Sequence, residues 1–259
     1  MKSSRFIAGG LLLIYFVVGH VAAQSERHPS FEWKQCDEDV LGLRVDPSRV
    51  RDAVGSEHTL MLEDGQAMIA IFIQDCSQYW IDGTNLGPNQ MIHVLARIEG
   101  PEDLRPVVGA PHSQPTMYWF GLFTGSTNAR DREARMASRT APEPIVAVSL
   151  GAPEYPRGGS ATIASDESFS WSIESAEPSV RLLGVDHDVY VRDSDGSLVL
   201  KRIQAIGRMV AVPSPGVLNI QGETGLAGVI GAGQYPTLVY TFFPVWARAT
   251  LGETRTGER

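Results

Sequence analysis

The sequence predicts a mainly β protein with a minor α component: an antiparallel sheet, curled or closed into a barrel-like form, with two short helices. Three observations lead there. Short apolar and β-branched runs recur along most of the chain, separated by Asp-Gly, Pro and Gly punctuation. Only two segments, beginning at Asp46-Pro47 and at Asn128, carry helix start signals. The clearest run, Gln90 to Ile98, has a side-chain period of two.

Taken in order, Met1 to Ala23 reads as a secretory signal. Lys2 and Arg5 supply the basic start, Phe6 to Val18 the apolar run, and Val21-Ala22-Ala23 the small residues before cleavage. The alternative is a retained anchor, but Gly9, Gly10 and His20 interrupt a run that barely reaches the about 20 apolar residues needed to span a bilayer. Residues 24–259 are then expected to form a single β-rich domain, secreted or periplasmic, with no membrane attachment after cleavage.

Gln24 to Lys34 is polar and reads as loose. Asp46 caps a helix that Pro47 opens and Gly55 ends. Leu60 to Leu62 and Ala67 to Asp75 form a hairpin about Asp64-Gly65. Gln78 to Pro88 reads as a loop. In Gln90 to Ile98, Ile92, Val94, Ala96 and Ile98 share one purely apolar face, which must meet a core. Met91, His93, Leu95 and Arg97 share the other, which faces solvent or a polar interior.

Thr116 to Thr124 is an aromatic strand, and Asn128 to Met136 the second helix. Glu143 to Leu150 is a strand, and residues 151–160 are a Pro/Gly-rich linker and the best internal boundary. Short strands follow: Ser168 to Ile173, Arg181 to Val185, Val189 to Arg192, Leu198 to Ala205, Met209 to Val212, Val217 to Ile220 and Leu238 to Trp246. Ser194-Asp195-Gly196 is a hairpin turn, and Gly222 to Gly233 reads as a flexible glycine-rich loop.

The formal net charge of −8 falls to −10 once Lys2 and Arg5 are removed. That balance argues against nucleic-acid partners, whose phosphates demand a basic face. Cys36 and Cys76, in an oxidising compartment, are expected to form one disulfide closing a loop of about 40 residues. No zinc-ligand spacing accompanies them.

Asp186-His187-Asp188 is the most suggestive cluster of metal-ligand or acid–base residue types. Strand alternation would divide the two carboxylates from the imidazole, so they converge only if the segment is a loop. Its plainer reading is a polar turn. His93 and Arg97 share a strand face and could form a polar floor for a carboxylate or carbonyl ligand. Asp75 ends the neighbouring strand, and Tyr118 lies on the aromatic one. His93, His187 and Asp75 are therefore the catalytic candidates, and His93, Arg97, Asp75 and Tyr118 the ligand-binding ones. The glycines of 225–233 lack the strand-then-helix frame of a nucleotide site, so no cofactor is expected.

The helix at Asp46 to Val54, the hairpin from Leu60 to Asp75, the strand Gln90 to Arg97 and the Arg132-Glu133 pair resemble the acetoacetate decarboxylase-like superfamily, over residues 45–150. The resemblance implies a closed or conical β-barrel around a ligand cavity. In active members a lysine shortly after that Arg-Glu forms a Schiff base with a β-keto acid. Ala134 to Pro144 holds no lysine, and Arg135 or Arg139 cannot replace an amine because guanidinium stays protonated. The expected function is therefore binding of a small organic acid or carbonyl compound without Schiff-base catalysis. The alternatives are a lyase or hydrolase using a His/Asp pair or a metal, and a protein-interaction module presenting the Tyr118 to Phe123 aromatics.

Overall fold

Two Asp-Gly turns set the register of the leading strands in this computed structural model, which describes residues 30–56, 58–99, 117–125, 143–151, 157–163, 167–174, 178–192, 198–211, 214–223 and 225–252. At Asp64-Gly65 and again at Asp82-Gly83 both central residues have positive φ, at 52° and 79° and at 50° and 74°. That conformation matches the twist of an antiparallel hairpin. The first turn joins β2 (Leu62–Glu63) to β3 (Gln66–Ile81), and the second joins β3 to β4 (Thr84–Arg97). On its other side β3 pairs with β1 (Ser30–Val45), from Phe31 opposite Ile81 to Val45 opposite Ala67.

The remaining strands are β5 (Met117–Thr124), β6 (Glu143–Leu150), β7 (Arg157–Ile163), β8 (Ser168–Ile173), β9 (Pro178–Arg192), β10 (Leu198–Ala211), β11 (Ser214–Gln221) and β12 (Gly233–Gly252). The sheet runs β1-β3-β4-β5-β6-β7-β8-β11-β12-β10-β9, and further pairings of β1 with β12 and β5 with β9 bring it back on itself. The pairings of β5 with β6 and with β9 hold two residue pairs each, so the sheet is curled rather than sealed.

Strands β12, β1, β3, β4 and β5 thus make a wall with an interior on either side. On one side it meets β6, β7, β8 and β11, and the first core forms there from residues such as Leu41, Ile71, Ile92, Phe169, Trp171 and Leu218. The helices α1 (Pro47–Val54) and α2 (Gly225–Ile230) add Val50, Val54, Leu226 and Ile230 to it. On the other side the wall meets β9 and β10. Leu95 packs there with Val189, and Met91 and Cys76 with Ala205. Both faces of β4 are therefore buried, the apolar set on the first core and the mixed set on the second interior.

Several expectations are corrected. Residues 30–34 are not loose: Phe31 and Trp33 are buried, and β1 begins at Ser30. Most of the stretch from Gln78 to Pro88 is strand, because Asp82-Gly83 is a tight hairpin turn. The Pro/Gly-rich stretch 151–160 contains the start of β7, which pairs with β6. Asp186-His187-Asp188 is no turn; it lies inside a continuous β9, opposite Gln204, Ile203 and Arg202. The helix expected from Asn128 lies outside the described residues.

The second helix described is instead α2, inside the stretch read as a flexible loop. Tertiary contacts override its glycines. The carboxylate of buried Glu167 accepts from the backbone N–H groups of Leu226 (2.9 Å) and Ala227 (2.7 Å), satisfying donors that a helix start leaves open. Glu167→Ala should therefore cost about 2 kcal/mol, the scale of losing charge-assisted bonds to buried donors. Urea unfolding measures it, and a change below ~0.5 kcal/mol would count against this capping role.

Candidate ligand site

Three consecutive acids in β1 are divided by strand alternation. Asp37 and Asp39 turn towards the first core and Glu38 turns to the second interior. Asp39 is fully buried, and three donors meet it. Arg157 Nε lies 2.9 and 3.2 Å from its two oxygens, Trp171 Nε1 at 2.9 Å and the Thr241 hydroxyl at 2.7 Å. The same guanidinium donates to Asp37 (2.9 Å) and to the Gly151 carbonyl (2.7 Å). Burial pushes the Asp37 carboxyl above its ordinary range, and Arg157 draws it part of the way back. These groups satisfy one another and tie β1, β7, β8 and β12 together, which is a structural role.

Glu38 has a different setting. It is 5 % exposed and accepts a hydrogen bond from the Gln74 side-chain amide on β3, directly opposite. The next pair on the same face is the Cys36–Cys76 disulfide, which forms as expected between paired positions of β1 and β3. Beyond Glu38 on the other side lie Val40 and Phe72, and opposite Phe72 on β4 is His93, 9 % exposed. Arg97 continues the same face of β4, with its Nε buried and unpartnered. The mixed face of β4 therefore serves a second interior, as its alternation allowed.

Burial raises the Glu38 carboxyl from 4.5 to about 7, against the opposing hydrogen bond from Gln74 and with the charges of Asp39 and Asp37 adding to the rise. Between those values the folded chain keeps a proton that the unfolded chain has released, so rising pH weakens the fold through this group. Its contribution is most favourable below about pH 4.5 and is lost by about pH 7. Glu38→Gln removes the titration. The variant should gain about 2 kcal/mol over the parent at pH 8 and little at pH 5. Thermal unfolding across that range reads the difference, and a constant offset would contradict it.

The candidate residues separate. His93 and Arg97 share the second interior. Asp75 turns the opposite way, towards Asp37, and accepts from Gln90 Nε2 at 3.1 Å. It therefore does not join His93. The side chains of Tyr118, Asp186, His187 and Asp188 lie outside those described. The ladder does place position 187 on one side of β9 and positions 186 and 188 on the other, so the three do not converge as a ligand set. Among the described residues no group of three or more His, Cys, Asp or Glu could hold a metal ion. Sequence reasoning missed Glu38. The available signal was the acidic triplet itself, which sits between Cys36 and Val40-Leu41, where alternation must bury one side or both.

No family model matches the chain, and no curated protein matches it. Solved structures do. An acetoacetate decarboxylase aligns with a TM-score of 0.54 at 10% identity, over 88% of this chain and 91% of that one. The enduracididine biosynthesis enzyme MppR, complexed with the condensation product of pyruvate and imidazole 4-carboxaldehyde, aligns with a TM-score of 0.51 at 11% identity, over 88% of each chain. The likeness first read from a helix, a hairpin and a strand thus extends over most of the chain, whose fold is that of the acetoacetate decarboxylase-like proteins.

Proposed function

We propose that this chain is an exported protein that binds a small organic acid or carbonyl compound in its second interior without forming a Schiff base. The observation that carries this reading is the composition of one wall face. Glu38, Gln74, His93 and Arg97 are set among Val40, Phe72, Met91 and Leu95, a few polar groups in an apolar lining, as small-molecule sites have. Neither β3 nor β4 contains a lysine, and the one in β1, Lys34, is engaged elsewhere, 5.2 Å over the Trp80 ring and 3.6 Å from Glu32. Export is supported by the N-terminal signal pattern and by the disulfide, a bond that persists in oxidising compartments.

The test is calorimetric titration of the purified chain, lacking residues 1–23, with levulinate. Saturable binding weakened about tenfold or more in His93→Ala is expected, about 1.4 kcal/mol. Borohydride reduction of the mixture should leave the protein mass unchanged. A reduced adduct would overturn the claim that no Schiff base forms, and Lys201, whose ladder partner is the buried Val189, is the first residue to inspect. Failure to bind any small acid or carbonyl compound would overturn the whole reading.

A further inference from the structure

At the Glu38 end of the second interior one buried acceptor has no partner among the described residues. Gln74 commits its Nε2 to Glu38, which leaves its Oε1 buried and unpartnered. An unfilled buried acceptor costs the free energy of the water it has lost. Along β1 and β3 the pair lies between the Cys36–Cys76 disulfide and Val40 with Phe72, none of which is a strong donor, and on β4 Met91 stands opposite Gln74, between Asn89 and His93. On the facing strands Val189, Ile203 and Ala205 carry no charge, and the described cation of β10, Arg208, is exposed. The guanidinium that neutralises this stretch of β1, Arg157, binds Asp37 and Asp39 on the opposite face. Among the described residues no cation pairs with Glu38.

We propose that the inner end of the ligand is an amine or amidine whose N–H groups fill the oxygens of Glu38 and Gln74. The preferred ligand is then an amino-substituted carbonyl compound or acid rather than a plain one. The inference rests on the small-molecule reading of the same interior and adds which functional group is read there. An ammonium or amidinium would form charge-assisted hydrogen bonds, roughly twice as strong as neutral ones, and would hold Glu38 ionised.

A pair of ligands isolates the point, since 5-aminolevulinate and levulinate differ by one amino group. Titrated into the parent protein at pH 7, 5-aminolevulinate should bind about tenfold or more tightly than levulinate. Glu38→Gln should erase that preference, read as the ratio of the two dissociation constants within the variant, and Gln74→Met should reduce it. An unchanged melting curve, or the gain expected for Glu38→Gln, establishes that each variant is folded. Equal or tighter binding of levulinate by the parent would overturn the amine assignment and leave the binding function standing. A preference that survives Glu38→Gln would do the same. Binding of neither compound would overturn both.

Discussion

Replacing Arg157 with methionine is expected to cost about 3–5 kcal/mol of stability, the scale of breaking a buried ion pair from one side. The side chain of Arg157 is 0% exposed, as is that of Asp39, while that of Asp37 is 31% exposed. Methionine fills much of the volume but leaves Asp39 a buried carboxylate held only by Trp171 and Thr241. It also frees the Gly151 carbonyl, which received the third guanidinium bond. The damage falls on the joint between β1, β7, β8 and β12, so it should appear as global loss of stability in urea unfolding rather than as local fraying. Arg157→Lys should recover only part of it. An ammonium cannot present the fixed fork that reaches Asp39, Asp37 and Gly151 together. A double change with Asp39→Asn should cost less than the sum of the two single changes, because the second then removes an unpaired charge. A loss below about 1 kcal/mol for Arg157→Met would show that the network contributes little beyond packing.

That network shows where sequence reading stops. Asp39 and Arg157 are 118 positions apart, and nothing local to either announces the other. What could be read was local and periodic. The Asp-Gly turn at 64–65, the capped helix at Asp46 and the two faces of Gln90 to Ile98 all rest on signals within a few residues. The mixed face of β4 was legible as mixed, yet its destination depended on β9 and β10, which cover it from a hundred residues away. The same limit hid Glu38. Its burial follows from strands packed on both sides of the wall, whereas an acidic triplet by itself suggests solvent. The helix at 225–230 failed for the opposite reason. Its glycines spoke against a helix, and the deciding carboxylate came from Glu167, distant in sequence. Long strands were also read as short ones, because β9 and β10 carry polar residues and glycine in mid-ladder that look like breaks.

The second large effect is expected from removing the disulfide. Cys36→Ala with Cys76→Ala should cost about 4 kcal/mol, since the cross-link closes a loop of about 40 residues and denies the unfolded chain that freedom. Alanine is the right replacement because both sulfurs are buried, at 4% and 0% residue exposure, and serine would bury two hydroxyls. In the folded state the two strands are already joined by the ladder from Phe31–Ile81 to Val45–Ala67, so the loss should arise in the unfolded ensemble. Two measurements distinguish this from loss of packing. The denaturant midpoint of the parent should fall on adding a dithiol reductant, and that of the double variant should not move. The denaturant slope should also rise in both the reduced parent and the variant, because an unlinked chain exposes more surface on unfolding. Glu38–Gln74 is the next pair on the same face as the bridge, so the double variant also tests the ligand site. If the bridge acts only through the unfolded chain, levulinate affinity in the folded variant should match the parent within about threefold, about 0.7 kcal/mol. A larger loss would mean that the cross-link holds the acidic end of the second interior in place.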